Sequence, residues 1–177
     1  MYRNNEWLYG YREDDPLGGH DPNSSSKAAA EQAIASWRAS LCGSQPHQSP
    51  HLLIASARAG NVIGGGDWAA DRIVPDAMRA LERGEPIGVR NPAATRPWQR
   101  VLEPLDGYLL LAERLSADPS LASAFNFGPQ LEAHRSVREL VVEALLHWPG
   151  SWVDQSDPGA PHEASLLNLV IDKVTAA

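Results

Sequence analysis

Asp21–Leu41, DPNSSSKAAAEQAIASWRASL, reads as a helix with a marked start, and it sets the frame for its surroundings. Asp21 can cap through its side-chain oxygen, and Pro22 suits the first helical position. Ala30, Ile34, Trp37 and Leu41 recur at helical spacing, which predicts an inward stripe. Downstream, GSQPHQSP at residues 43–50 reads as a loop. LLIA at Leu52–Ala55 then reads as a short buried parallel strand. Upstream, residues 1–22 are rich in Gly, Asp, Tyr and Trp and read as a loop.

The same alternation continues. A helix is predicted from about Pro75, with Val74, Met78 and Leu81 on one face and Gly84 as its stop. Another opens at Glu103-Pro104, with Leu105, Leu109, Ala112 and Leu115 inward. Ala124–Phe127 fits a strand. Ser136–Trp148 fits a helix with Leu140 and Ala144 on one side, ended by Pro149-Gly150, and residues 166–171 fit a last strand. Strands alternating with amphipathic helices predict an α/β fold with parallel strands. Loops carrying Gly, Asn and Arg follow the strands, where open α/β sheets bind ligands.

Composition narrows the function classes. A chain of 177 residues with 43% hydrophobic and 21% charged residues is in the range of one globular domain. No run of about 18 apolar residues predicts a membrane span, and MYRNNEWLYGYRED lacks the apolar core of a signal peptide. Cys42, the one cysteine, allows no internal disulfide and fits a reducing cytoplasm. A net charge of −7 argues against a nucleic-acid surface, while leaving room for a local arginine site.

Several common sites can be set aside. G-x-G-x-x-G is absent, and GNVIGGG at residues 60–66 lacks the Lys-Ser/Thr of a phosphate loop. Gly64–Gly66 therefore reads as a loop needing positive φ or a close backbone approach. None of the six histidines forms a His-x-x-x-His pair with an acid on one helix face, so no metal site is expected. No G-x-S-x-G elbow accompanies the serines.

DPNSSSK places residues 23 and 27 at i and i+4, on one helix face. The segment resembles the DPYxxSK of extended short-chain dehydrogenases, with Asn23 at the tyrosine position and Lys27 at the lysine position. Five ordered blocks extend the resemblance towards the CDP-glucose 4,6-dehydratase group: EWLYGYREDDPLGGHDP, ARAGNVIGGGDWAADRIVPD, TRPWQRVLEPLDGYLLLAERL, FNFGP and PHEASLLNL. One departure is Arg100, where that group usually has His.

The resemblance implies a partial Rossmann-like doubly wound sheet plus a small α/β substrate-binding subdomain. Residues 1–60 would be a remnant of the NAD-binding domain, and 61–177 mainly the nucleotide-sugar-binding part with Rossmann elements interleaved. In the family the tyrosine is the base on the sugar hydroxyl, while the lysine holds the nicotinamide ribose and lowers the tyrosine pKa. Asn23 has no proton to titrate near neutral pH and cannot replace that tyrosine. Lys27 thus carries the implied catalytic and cofactor contact.

Residue types and resemblance together give the substrate set. Asn61 can donate and accept hydrogen bonds to a sugar or phosphate oxygen, and a loop-capping amide is the rival reading. Arg72 and Arg96 offer planar forks for a pyrophosphate, and plain surface arginines are the rival. His162 and Glu163 resemble a late His-acid pair near the nucleotide ribose, with a cap as the rival.

The family's Thr/Ser-Asp-Lys segment and glycine fingerprint would precede Met1, and a further helix would follow Lys173. The chain is accordingly expected to be a truncated form, inactive alone, of an NAD-dependent lyase that dehydrates CDP-glucose to CDP-4-keto-6-deoxyglucose. A non-catalytic nucleotide-sugar-binding fragment, or a subunit completed by a partner, is the alternative. An uncovered sheet edge and apolar helix faces predict a homo-oligomer or self-association.

Overall fold

The computed structural model describes residues 1–5, 7, 9–19, 21–130, 133–157 and 159. Helix α1 (Pro22–Leu41) leads to β1 (Ser56–Ala59) and β2 (Asn61–Ile63). Helix α2 (Ile73–Glu82), β3 (Ile87–Val89), β4 (Thr95–Arg96) and β5 (Trp98–Arg100) follow. Then come α3 (Leu102–Ala117), β6 (Ala124–Phe127), β7 (Arg135–Ser136), α4 (Val137–His147) and β8 (Trp152–Asp154). The expected final strand at 166–171 lies outside the described residues.

Strands pair two by two. β1 runs parallel to β6, β2 to β5 and β3 to β8, while β4 and β7 are antiparallel. The three parallel pairs and their helical crossovers make the expected α/β architecture. Ala77, Leu81, Ile87, Val89 and Val141 form a buried cluster of α2, β3 and α4, onto which Trp152 of β8 packs. A capping box starts α4: the Ser136 hydroxyl accepts from the Glu139 amide, and the Glu139 carboxylate accepts from the Ser136 amide at 2.6 Å.

The first strand falls four residues later than LLIA predicts. Leu52–Ala55 makes no strand ladder; its Ile54 carbonyl instead accepts from Arg38 Nε at 2.7 Å. The actual strand, SARA, turns Ser56 and Arg58 inward, and both bond Glu31 of α1. The inward line of α1 is therefore Ala28, Glu31, Ile34, Arg38 and Leu41: Ile34 and Leu41 are half-buried as expected, while Trp37 is 61% exposed and Ala30 is exposed. A polar inner face hides from hydrophobic periodicity.

On α3 the predicted stripe is also displaced. Pro104 is buried, and Gly107, Tyr108 and Leu111 are half-buried, whereas Leu102, Leu105 and Leu109 are exposed. A Cβ on Gly107 would come within 2.4 Å of the Phe127 ring, so glycine lets α3 approach β6. Tyr108 fills the adjoining space, edge-on to Phe127 at 5.2 Å. Leu115 is half-buried, as expected.

Within residues 1–22, read as a loop from sequence, Tyr2, Tyr11 and Glu13 are anchored in a buried polar hub. Tyr2 and Tyr11 stack at 5.2 Å. The Tyr2 hydroxyl donates to Asn126 Oδ1 at 2.7 Å and accepts from Arg58 Nη1 at 2.8 Å. Arg58 also donates to the Glu13 carbonyl and pairs with Glu31 at 2.6 Å. Asn126, fully buried, donates its amide to the Glu13 carboxylate and its side-chain nitrogen to the Tyr11 carbonyl. The loop, α1, β1 and β6 are thus tied through one hydrogen-bonded network, in which the buried Arg58 Nε is left without a described partner.

Burial raises the Tyr2 pKa above 10.0, with the Arg58 contact opposing that shift. A phenol with a raised folded pKa stabilises fully below its unfolded pKa and loses that contribution as pH rises through the folded value. Thermal melts should therefore show a midpoint falling above about pH 10, with a smaller fall in Tyr2→Phe. Equal slopes in the two proteins would contradict this.

Candidate functional site

A cavity of about 630 Å³ lies between α1, the β2 and β5 strands, and the start of α2. That volume is in the range of roughly 300–1,000 Å³ typical of small-molecule sites. From α1 come Asn23 and Lys27, both exposed and one turn apart. Asn61 enters from the first position of β2, paired in register with Trp98 of β5. Arg72 enters as the N-cap residue of α2, and Arg96 from β4. Five residues expected from sequence, far apart along the chain, line one space. His162 and Glu163 lie outside the described residues.

Local backbone explains the placement. After β2 the chain passes close to α3: a Cβ on Gly64 would come within 2.7 Å of Val101. Gly66 has φ +82, and Asp71, an unusual non-glycine case, has φ +62. The triple glycine thus meets both demands read from the sequence. Arg72 follows in an extended conformation, and α2 starts at its back. The first turn of α2 also lines the cavity and presents the positive end of the helix.

The charges of this wall are arranged in pairs. Arg72 pairs with Asp67 at 3.3 Å and Arg90 with Asp71 at 3.4 Å; both pairs are largely exposed. Asp76 pairs with Arg79. Lys27 and Arg96 also line the cavity, which brings four cationic side chains beside Asp67, Asp71 and Asp76 on a chain of net charge −7. Such a surface suits an anionic ligand bearing hydroxyls. The periodic charges Asp67, Asp71, Arg72, Asp76 and Arg79 of one loop and helix were the available sequence signal for this wall.

Two tryptophans of this region differ in setting. Trp98 is half-buried in the cavity wall, its indole donating to the Arg135 carbonyl at 3.1 Å. Trp68, beside the glycine loop, is 64% exposed. Its tryptophan ring finds no cover because Ala69–Arg72 beside it are exposed as well. Among the described residues no group of His, Cys, Asp and Glu could hold a metal, and no helix is long and apolar enough to cross a membrane.

No family model matches the chain. Over 175 residues, 97% of its length, it is 42% identical to the CDP-glucose 4,6-dehydratase of Salmonella typhimurium. The chain is homologous to half of that enzyme. It covers 48% of the dehydratase, so it spans about half the length of the curated relative it matches.

Solved structures agree on the fold. The dTDP-glucose 4,6-dehydratase of Bacillus anthracis, in complex with NAD, is similar with a TM-score of 0.67 at 16% identity. That match covers 95% of this chain and 49% of the other. The UDP-glucuronic acid 4-epimerase of Bacillus cereus, in complex with UDP-glucuronic acid and NAD, reaches 0.73 at 15% identity, covering 97% and 50%. The chain thus shares the Rossmann-like fold of these structures, and NAD is the cofactor named for those proteins.

Proposed function

We propose that this chain is the nucleotide-sugar-binding part of a CDP-glucose 4,6-dehydratase, able to bind CDP-glucose and unable to turn it over alone. The observation that carries the reading is the convergence of Asn23, Lys27, Asn61, Arg72 and Arg96 on one cavity. Arg72 and Arg96 take the pyrophosphate through their planar forks, helped by the positive end of α2. Asn61 hydrogen-bonds a sugar or phosphate oxygen. His162 and Glu163 take the ribose side. Residues 1–60 belong to the NAD side and 61–177 mainly to the substrate side, in a cytoplasmic protein serving deoxysugar supply for polysaccharide.

NAD fits the residues present only in part. Lys27 stands exposed at the cavity rim, where its ammonium can hold a ribose hydroxyl. The chain has no G-x-G-x-x-G to receive the dinucleotide pyrophosphate. When bound, NAD supplies the reversible hydride acceptance that lets water leave the sugar. This chain's own contribution is orientation: Lys27 holds charge at the rim, and Asn23 beside it can hydrogen-bond a hydroxyl without taking its proton.

Purified chain given NAD and CDP-glucose should yield no 4-keto product. Product at a rate comparable to an intact dehydratase would contradict the catalytic half of the reading. The binding half is tested by titration with CDP-glucose. A partner-completed subunit is the second reading, favoured by the exposed Leu102, Leu105 and Leu109 of α3. Size-exclusion chromatography separates self-association from completion by a different chain.

A further inference from the structure

We propose that Arg79 is a positioning residue for the substrate cavity: it pins the loop of residues 64–72 and neutralises Asp76 at the cavity wall. The inference rests on the nucleotide-sugar reading and assigns a control element to that same site.

Arg79 sits on the second turn of α2 and does not itself line the cavity. Its guanidinium reaches back to the loop. Nη1 donates to the Trp68 carbonyl at 3.0 Å, and Nη2 to the Ala69 carbonyl at 3.3 Å. Nη2 also pairs with Asp76, which does line the cavity. One fork thus grips two consecutive main-chain carbonyls and one carboxylate, a pattern that the single ammonium of lysine cannot reproduce.

Burial does little to hold this loop. Gly65 through Arg72 are exposed, and Trp68 does not dock. Among the described residues the Asp67 carboxylate accepts from the Ala69 amide at 3.1 Å and pairs with Arg72, and at the far end of the loop Asp71 makes a largely exposed pair with Arg90 at 3.4 Å. The Asp67–Arg72 pair moves with the loop and the Asp71–Arg90 pair is open to solvent, so among the described residues Arg79 is the tie between the Trp68–Ala69 middle of the loop and α2. Freeing the loop would release Arg72 from its place at the helix start. Freeing Asp76 would set an uncompensated negative charge where a pyrophosphate is to bind.

A surface arginine of purely structural use would alter neither property, and two readouts separate the cases. Arg79→Met keeps a strong helix former at a half-exposed position, so the thermal midpoint should hold. Hydrogen exchange of residues 64–72, measured without ligand, should quicken in Arg79→Met while that of β3 stays unchanged. The Kd for CDP-glucose should rise about tenfold, the scale of one lost charge-assisted contact. Adding Asp76→Asn should recover part of that loss by removing the exposed charge, leaving loop exchange fast. Arg79→Lys should fall between wild type and Arg79→Met in affinity.

Unchanged exchange in residues 64–72 overturns the proposal. So does faster exchange with an unchanged Kd, because the loop would then have no hold on the site. If the unaltered chain fails to bind CDP-glucose, the functional reading falls separately, and the exchange experiment still decides whether Arg79 holds the loop.

Discussion

Arg58→Met should lower the unfolding free energy by about 3–5 kcal/mol, the scale for removing one partner of a buried ion pair. Arg58 and Glu31 keep only 6% and 11% of their side-chain surfaces exposed, so solvent cannot take over the lost contacts. The change would leave the Glu31 carboxylate with Ser56 as its remaining described partner. It would also strip the Tyr2 hydroxyl and the Glu13 carbonyl of a donor. Burial opposes the charge on Arg58, yet Glu31 and Tyr2 together hold its pKa above the ordinary value. Urea unfolding gives the measurement, with a lower midpoint and a preserved slope. The double variant with Glu31→Gln should cost less than the sum of its parts. A loss below about 1 kcal/mol for Arg58→Met would show that water replaces the arginine.

Arg96→Ala should weaken CDP-glucose binding by roughly ten- to a hundredfold, the scale of a hydrogen bond between charged groups. Arg96 is half-buried in the cavity wall and sits two residues before Trp98, which faces Asn61 across the β2–β5 pair. Its fork is therefore held by strand geometry rather than carried on a free surface loop. Arg72, more exposed and already paired with Asp67, should have a smaller effect when changed to alanine. The loss in Arg96→Ala should shrink with CMP-like ligands that lack the second phosphate. Equal affinity of the variant and the unaltered chain would leave Arg96 a surface arginine with no part in binding.

The helices were readable because each carries a start or stop signal of its own. Asp21-Pro22 and the Ser136–Glu139 box mark starts that no distant contact needs to supply. The faces those helices present were less readable. α1 turns Glu31 and Arg38 inward, and β1 turns Ser56 and Arg58 inward, so a search for apolar stripes chose Trp37 and LLIA instead. On α3 the glycine at 107 brings the helix onto Phe127, and an inward glycine leaves no apolar mark.

The candidate site shows the same division. Asn61, Arg72 and Arg96 could be singled out by residue type and resemblance, and they line one cavity. The pairing that arranges their surroundings was hidden, because Arg79 acts through main-chain carbonyls that any sequence would supply. The hub around Asn126 was equally hidden: it joins residues more than a hundred positions apart, beyond any local pattern.

Calorimetric titration of CDP-glucose into the unaltered chain decides whether the cavity binds a nucleotide sugar. Saturable heat with one ligand per chain, weakened by Arg96→Ala, is the expected result. No heat at millimolar CDP-glucose, with the chain shown to be folded, would contradict it.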